Sequence, residues 1–256
     1  MAREIRDKKT SVDELIPIER ARDAICYPDP MSETCDKLIK ALVRSGIMYF
    51  VNKGPITINR YKVLGKGWAS IVFLARIGNR DVAVKALRPG SRRHTLLHEA
   101  AMLLAASRLD ISPRPYYYDH LFIAMQYLDS IPLINYAKQA NLLELRYVLR
   151  RLLTKAYLLD LIGISHNELA RPHNQVLVEK GTSEPYIIDF EAATISTNPS
   201  NLTQLVGGIL RIRKIRETID IDVSEIRELL RGYKLAKNTE QRTEVVNILI
   251  NRIAPL

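Results

Sequence analysis

Five short segments of the chain carry residue types that together could handle the phosphates of a nucleotide. A glycine-containing loop comes first, and a lysine, a glutamate and two acidic segments follow it. Glycines let backbone N–H groups approach phosphate oxygens, lysine binds phosphate, and carboxylates bind Mg²⁺ or accept a proton. This order of parts predicts phosphoryl transfer from ATP. In chain order the segments are 64–72, 81–85, Glu99, 166–169 and 187–190.

The first segment is a predicted phosphate-binding loop. Residues 64–72 fit a G-x-G-x-x-G-x-V spacing, with Ser70 in place of the third glycine. Strand-like residues on both sides separate this loop from the strand-to-helix loop of dinucleotide-binding domains. Ser70 would either donate its hydroxyl or its N–H to a phosphate, or serve only as a small residue. The predicted nucleotide contacts of the loop are Gly65, Gly67, Ser70 and Val72.

A lysine and a glutamate form a predicted ion pair. Lys85 closes the apolar segment 82–84, and burying a lysine is costly unless an anion lies beside it. Glu99 is the candidate anion, and good helix formers over residues 92–108 place it inside a helix rather than at a helix end. We expect the pair to direct Lys85 toward the α- and β-phosphates of ATP. The simpler interpretation is an exposed lysine and an exposed glutamate without a shared role.

The acidic segment 166–169 predicts a catalytic carboxylate. Glu168 would accept or orient the proton of an attacking hydroxyl, whereas His166 is expected to be a hydrogen-bonded structural residue. In sites of this kind a metal-binding carboxamide stands five residues after the acid. Here Asn174 stands six residues on, and Gln175 directly precedes an apolar strand. Either side chain offers the metal an oxygen ligand, and Asn174 is our first choice.

Asp189 follows the apolar pair 187–188 and predicts a ligand for Mg²⁺. A carboxylate at the end of a buried strand, opposite a carboxamide, offers the hard oxygen ligands that suit Mg²⁺ on ATP phosphates. Glu191 stands where a glycine is usual in such a segment. It either locks the segment in one conformation or adds a second acid near the metal.

The remaining patterns predict an α+β chain of two lobes. Residues 32–45 fit a helix that is capped by Ser32 and ended by Gly46. The extended stretch 47–59 predicts a small hairpin, which is either the remnant of a winged-helix module or, as we prefer, packing for the next lobe. The expected domains are an N-terminal extension at 1–55, a β-rich lobe at 56–130 and a mainly helical lobe at 131–256.

Finer predictions follow within these domains. They are antiparallel strands within 56–63, 71–74 and 81–87, a strand at 120–128, a linker at 129–132, a long helix from Leu142 closed by Gly163, and helices begun by Ser224 and Asn238.

Composition and charge describe a folded protein with a basic excess. A hydrophobic content of 47% with 26% charged residues argues against disorder. Residues 56–130 carry six of the ten net positive charges, and they overlap the predicted phosphate-binding segment, so nucleic acid is only weakly indicated as a partner. The polar N-terminus and the lack of a long apolar stretch predict a cytoplasmic protein that does not enter the membrane.

Cys26 and Cys35 are the two cysteines of the chain. Their spacing fits no metal-binding pattern, and neither has a histidine or another cysteine beside it. We therefore expect two reduced thiols with no assigned function.

With these motifs, the chain resembles archaeal atypical serine/threonine protein kinase-like proteins, a group related to RIO kinases and to lipopolysaccharide sugar kinases. The resemblance runs from residue 56 to residue 210. It implies a two-lobed protein kinase-like fold: an antiparallel β-sheet N-lobe with one helix, a reduced and mainly α-helical C-lobe, and ATP between them. It also implies Met125 as the gatekeeper and Gln126, Tyr127 and Leu128 as the hinge. The details that carry it are Ser70, the short interval from Lys85 to Glu99, His-x-Glu-Leu at 166–169, and Asp-Phe-Glu at 189–191 followed by 199–201.

The resemblance implies a phosphotransferase that uses ATP and Mg²⁺, most simply an atypical serine/threonine kinase acting on a protein hydroxyl or on itself. No Ala-Pro-Glu element follows Asp189, so an extended peptide has no obvious groove. One alternative is an ATP-binding ATPase or pseudokinase scaffold, with RNA or the ribosome as a weakly indicated partner. Another is a small-molecule kinase.

Overall fold

The computed structural model describes residues 14–219 and 221–255, so the first thirteen residues of the expected extension lie outside the described residues. The chain divides into two compact units. The first comprises residues 14–96 with Tyr116–Tyr127, and the second contains Leu97–Pro115 and the described residues from Leu128 onward. The division differs from the expected lobes, because the helix that bears Glu99 belongs to the second unit. One boundary falls between Tyr127 and Leu128, within the hinge that the resemblance implies.

A seven-stranded antiparallel sheet forms the first unit, which confirms the expected β-rich part of an α+β chain. The strand order is β1-β2-β6-β7-β9-β8, and β5 pairs with β6. A separate hairpin joins β3 and β4. The long strands β6 and β7 are rich in β-branched residues and are largely buried, as central strands require. The strands are β1 (Leu15–Pro17), β2 (Tyr49–Val51), β3 (Ile56–Ile58), β4 (Tyr61–Val63), β5 (Gly65–Lys66), β6 (Ser70–Ile77), β7 (Arg80–Leu87), β8 (Pro115–Tyr118) and β9 (Phe122–Gln126).

The residues before 56 form part of this sheet. Helices α1 (Arg22–Ile25) and α2 (Glu33–Arg44) lie between β1 and β2 in the chain, and β2 pairs with β6. The helix expected at 32–45 is confirmed, because the Ser32 side chain accepts a hydrogen bond from the Cys35 N–H and Gly46 ends the helix with a φ of 78°. These residues therefore pack as part of the large sheet of the first unit. The expected hairpin bounds are wrong, since Tyr49–Val51 joins the large sheet.

Cys26 and Cys35 form a disulfide, so the expectation of two reduced thiols is wrong. Both residues are fully buried, and their Cα atoms lie 5.5 Å apart. The turn after α1 leads directly back to the start of α2, which places the two side chains together at a distance suited to a disulfide. Sequence spacing alone does not reveal this reversal of the chain.

The second unit contains one long helix, α5 (Leu142–Leu161), whose N-terminus carries a capping box between Asn141 and Glu144. Gly163 follows its end with a φ of 73°, as expected. The sheets of this unit are small: β10-β12-β13 and β11-β14. Among the described residues, no helix combines the length and apolar character that a membrane crossing requires. The elements are α3 (Leu97–Ser107), β10 (Ser130–Pro132), α4 (Leu133–Gln139), α5 (Leu142–Leu161), β11 (Ile164–Ser165), α6 (Pro172–Gln175), β12 (Val176–Glu179), β13 (Pro185–Ile187), β14 (Thr194–Ile195), α7 (Asn201–Ile209), α8 (Arg213–Ile219), α9 (Val223–Leu235) and α10 (Thr239–Ile253).

Three expectations about the second unit need correction. Helix α3 begins at Leu97, so Glu99 lies in its first turn and not in the helix interior. The linker expected at 129–132 contains strand β10, which pairs with β12. Helix α9 is capped by Asp222 rather than begun by Ser224, whereas the Asn238 cap of α10 is confirmed.

Replacing both cysteines by serine should lower the free energy of unfolding by about 2–3 kcal/mol, because the cross-link restricts the unfolded chain. Urea unfolding under non-oxidising and non-reducing conditions measures the difference. Reduced wild-type protein should approach the stability of the double variant. Two titratable thiols in the unfolded, unreduced wild-type protein would contradict the disulfide.

Candidate active site

Two loops of the second unit lie side by side. The loop that we name the catalytic loop, residues 166–175, connects β11 to β12, and the acidic loop, residues 188–193, connects β13 to β14. Strand β11 pairs with β14 through Ile164 and Ile195, and β12 pairs with β13 through Val176 and Ile187. Because both ends of one loop are paired with the ends of the other, their backbones are held next to each other.

Hydrogen bonds tie the two loops together between those strand pairs. The His166 Nε2 donates to the Ile188 carbonyl over 2.9 Å, and the Ile188 N–H donates to the Gln175 carbonyl over 2.9 Å. The Asn167 side chain donates to the Ala192 carbonyl over 2.8 Å. These hydrogen bonds fix the acidic loop to the catalytic loop both before Asp189, at Ile188, and after it, at Ala192.

His166 has a structural role, as expected from the sequence. Its ring is fully buried and packs edge-on against Phe190, with ring centroids 4.8 Å apart. Burial lowers the pKa of His166, so the imidazole is neutral and uses its Nε2–H to hold Ile188. A ring that is committed in this way does not serve as the base.

Asn167 and Asp189 both have left-handed backbone conformations, with φ values of 69° and 65°. This conformation costs most residues roughly 1 kcal/mol or more, and asparagine and aspartate tolerate it best after glycine. Local strain of this kind is typical of functional sites. The paired strands on both sides of the loops supply the constraint that maintains it.

Glu168 and Gln175 are brought together within the catalytic loop. The Gln175 Nε2 donates to a carboxylate oxygen of Glu168 over 3.1 Å. Gln175 is 94% buried, and its Oε1 accepts no hydrogen bond from the described residues. Asn174, our first choice from the sequence, is exposed. A buried amide oxygen that lacks a donor is suited to a cation, whereas an exposed one is satisfied by water.

Three carboxylates cluster beside the acidic loop. One oxygen each from Glu99, Asp189 and Glu191 lies within 4.8 Å of the others. Glu99 is 3% exposed, and the other two are half-buried. Helix α3 is held here by His98, whose ring nitrogen bonds the Ala193 carbonyl over 2.7 Å. This concentration of negative charge favours a cation, and the sequence did not predict that Glu99 joins it.

Lys85, the expected partner of Glu99, lies on the central strand β7 of the first unit and is 6% exposed. It pairs in register with Val72 on one side and with Ile123 on the other. The ion pair between Lys85 and Glu99 stays a prediction.

The other expected nucleotide residues lie in the first unit, except Leu128. Gly65 lies on β5 and Ser70 begins β6, where it is 5% exposed. A Cβ atom on Gly65 or Gly67 would meet only ordinary contacts, at 3.5 Å or more, and neither residue has a positive φ. The fold itself therefore does not require glycine at these positions. Met125 is half-buried on β9, Tyr127 follows that strand, and Leu128 is buried in the second unit.

A buried polar network that the sequence did not predict holds the start of the catalytic loop at His166. The Asp160 carboxylate of α5 accepts hydrogen bonds from the Asn201 side chain and backbone over 2.7 Å each, and from the Tyr233 hydroxyl over 2.7 Å. The Asn201 side chain in turn accepts from the His166 N–H over 2.8 Å. Asp160 thus caps helix α7, and burial beside its carboxylate raises the pKa of Tyr233, so that residue remains a donor.

A buried ion pair places the strand that leads to Asp189. The Lys155 ammonium lies 2.6 Å from a Glu184 oxygen and donates to the Pro185 carbonyl over 2.6 Å. Arg151 donates to both oxygens of the same carboxylate. Burial acts to raise the pKa of Glu184, but the hydrogen bonds from the two cations outweigh it and lower the pKa. Glu184 is therefore ionised at neutral pH and anchors the start of β13 to α5.

No protein-family model matches the chain, and no curated protein matches it. A function for the chain therefore rests on its own residues and on their geometry.

Adjacent glycines of α7 have different surroundings. A Cβ on Gly208 would lie 2.4 Å from the Pro172 ring and 2.7 Å from the Ala170 carbonyl, whereas one on Gly207 would meet nothing within 4 Å. The backbone of α7 therefore touches the catalytic loop at Gly208. The catalytic loop can lie this close to α7 only because residue 208 has no side chain.

Gly208→Ala should lower the free energy of unfolding by about 1–3 kcal/mol, since the added methyl group forces α7 and the loop apart. Gly207→Ala is the matched control and should leave stability unchanged or raise it by up to about 1 kcal/mol, as expected for alanine in a helix. Urea unfolding of both variants makes the comparison. Equal effects of the two substitutions would refute the close contact.

Proposed function

We propose that the chain is an ATP- and Mg²⁺-dependent phosphotransferase with a protein kinase-like fold, of the atypical serine/threonine class. The pairing of the catalytic loop with the acidic loop carries this proposal. It holds the segment of Glu168 and Gln175 against the segment of Asp189, in the order that the sequence motifs predict for phosphoryl transfer.

The second unit supplies the proposed metal ligands. Asp189 offers a carboxylate from a strained, fixed backbone, and Gln175 offers a buried amide oxygen that accepts no hydrogen bond from the described residues. Glu191 adds a second carboxylate to the same cluster. Carboxylate and amide oxygens are the donors that Mg²⁺ prefers, so this set fits the ion. We assign Gln175 rather than Asn174 to the metal on the basis of its burial. When bound, Mg²⁺ neutralises charge on the β- and γ-phosphates.

The first unit supplies most of the proposed nucleotide contacts. The fold does not itself require glycine at positions 65 and 67, and glycine suits a close approach of backbone to phosphate. Lys85 would bind the α- and β-phosphates and Glu99 would orient it, as in the sequence prediction. Met125, Tyr127 and Leu128 would line the adenine, with Ser70 and Val72 contacting the nucleotide from the loop.

Glu168 is the proposed proton acceptor. The acceptor oxygen bonds to the γ-phosphorus while the bond to the β–γ bridging oxygen breaks, and ADP leaves with the bonding electrons. The hydroxyl proton passes to the Glu168 carboxylate and then to solvent. The hydrogen bond from Gln175 fixes the orientation of that carboxylate before the acceptor arrives.

Asp189→Asn should lower the rate of Mg²⁺-dependent phosphoryl transfer by at least about 100-fold. The melting temperature should stay close to that of the wild type. Asparagine keeps the left-handed backbone and removes only the charge. Asp110→Asn is the matched control, because Asp110 is exposed and has the same backbone conformation, with a φ of 54°. Label transferred from [γ-³²P]ATP to protein, together with free phosphate, measures the activity.

Glu168→Gln should lose transfer but keep Mg²⁺-dependent ATP binding. Label found only as free phosphate in the wild type would establish an ATPase instead of a kinase, and label on an added sugar or nucleoside would establish a small-molecule kinase. Wild-type protein that binds no ATP in the presence of Mg²⁺ would overturn the proposal.

A further inference from the structure

Arg88 joins the phosphate loop to the N-terminal part of the first unit. It follows strand β7, and its guanidinium donates to the Gly67 carbonyl over 2.7 Å and to the Trp68 carbonyl over 3.1 Å. The same group donates to the Tyr27 carbonyl over 3.2 Å. The Arg88 side chain therefore binds two carbonyls at the tip of the loop and one carbonyl, that of Tyr27, outside the loop.

Tyr27 is itself held firmly. It follows Cys26, whose disulfide to Cys35 closes the segment on the buried side of α2. The aromatic ring lies beneath two cations, with the Lys66 ammonium 4.0 Å and the Arg88 guanidinium 5.4 Å from its centroid. Tyr27 thus contacts Arg88 through its ring and its carbonyl, and it contacts the loop through Lys66.

The contacts with Arg88 determine which way the loop presents its N–H groups. In a trans peptide the N–H points opposite to the C=O. Since the carbonyls of Gly67 and Trp68 face Arg88, the N–H groups of Trp68 and Ala69 point to the opposite side. Within residues 14–219 and 221–255, no hydrogen bond uses either of these N–H groups. Successive N–H groups that point the same way form an anion-binding concavity.

We propose that Arg88 is a positioning residue, which turns the N–H groups of Trp68 and Ala69 toward the phosphate oxygens of a nucleoside triphosphate. Arg88 contacts the loop carbonyls and not the phosphate, so it acts through the two peptide groups. The inference rests on the proposed function, because it names how the phosphate loop recognises its ligand. It also gives residues 26–35 a role, since they support the side chain that orients the loop.

Arg88→Lys tests the inference, because lysine keeps the charge but cannot donate in the fixed fork that bridges three carbonyls. Calorimetry should show ATP binding weakened about tenfold and adenosine binding unchanged. Arg92→Lys, at an exposed arginine nearby, is the matched control and should bind both ligands as the wild type does. Arg88→Ala and Arg92→Ala repeat the comparison with equal loss of charge.

Trp68 provides a second measurement that does not depend on any ligand. It is the single tryptophan of the chain and is 97% exposed at the loop tip. Its fluorescence anisotropy in ligand-free protein should fall in Arg88→Lys and stay unchanged in Arg92→Lys. If the anisotropy falls in Arg88→Lys but the wild type binds no ATP, Arg88 still anchors the loop. That result would overturn both the role of the loop in phosphate recognition and the proposed function. ATP binding by Arg88→Lys equal to that of the wild type, or an equal loss of ATP and adenosine binding, would overturn the inference alone.

Discussion

The candidate site depends on two short strand pairings, β11 with β14 and β12 with β13. Each pair is only two or three residues long, but together they fix both ends of the catalytic loop to both ends of the acidic loop. Loops that are fixed at both ends can maintain backbone conformations that a free segment would leave, and Asn167 and Asp189 have such conformations. The chemistry proposed for Glu168 and Asp189 requires this order, because phosphoryl transfer depends mainly on positioning and charge.

Buried polar contacts connect this pair of loops to the helices around it. Asp160 receives donors from α7 and α9, and Asn201 passes the connection to the backbone of His166. A buried carboxylate is stable only when its hydrogen bonds are complete, so removing any one donor leaves a costly charge in the interior. Helix α9 therefore contributes, through Tyr233, to the order of a site that lies elsewhere in the unit. Gly208 contributes in a different way, by allowing α7 to approach the catalytic loop.

Local patterns predicted the parts of the fold that local physics determines. The cap of α2 at Ser32, the end of α5 before Gly163 and the antiparallel pair β6–β7 all follow from residues that are close in the sequence. Long-range contacts account for the errors. The disulfide between Cys26 and Cys35 depends on a chain reversal. The Leu96 N–H is bonded to the distant His120 carbonyl, so α3 begins only at Leu97 and Glu99 lies in its first turn. Gln175 was one of two candidates in the sequence, and only its burial beside Glu168 separates it from Asn174.

The most direct test of the account is the position of the metal in crystals grown with Mn²⁺ and a non-hydrolysable ATP analogue. Mn²⁺ takes the same oxygen ligands as Mg²⁺ and is located by its anomalous scattering. The account predicts an anomalous peak bonded to a carboxylate oxygen of Asp189 and to the amide oxygen of Gln175. A peak bonded to neither residue, with the nucleotide present, would contradict it.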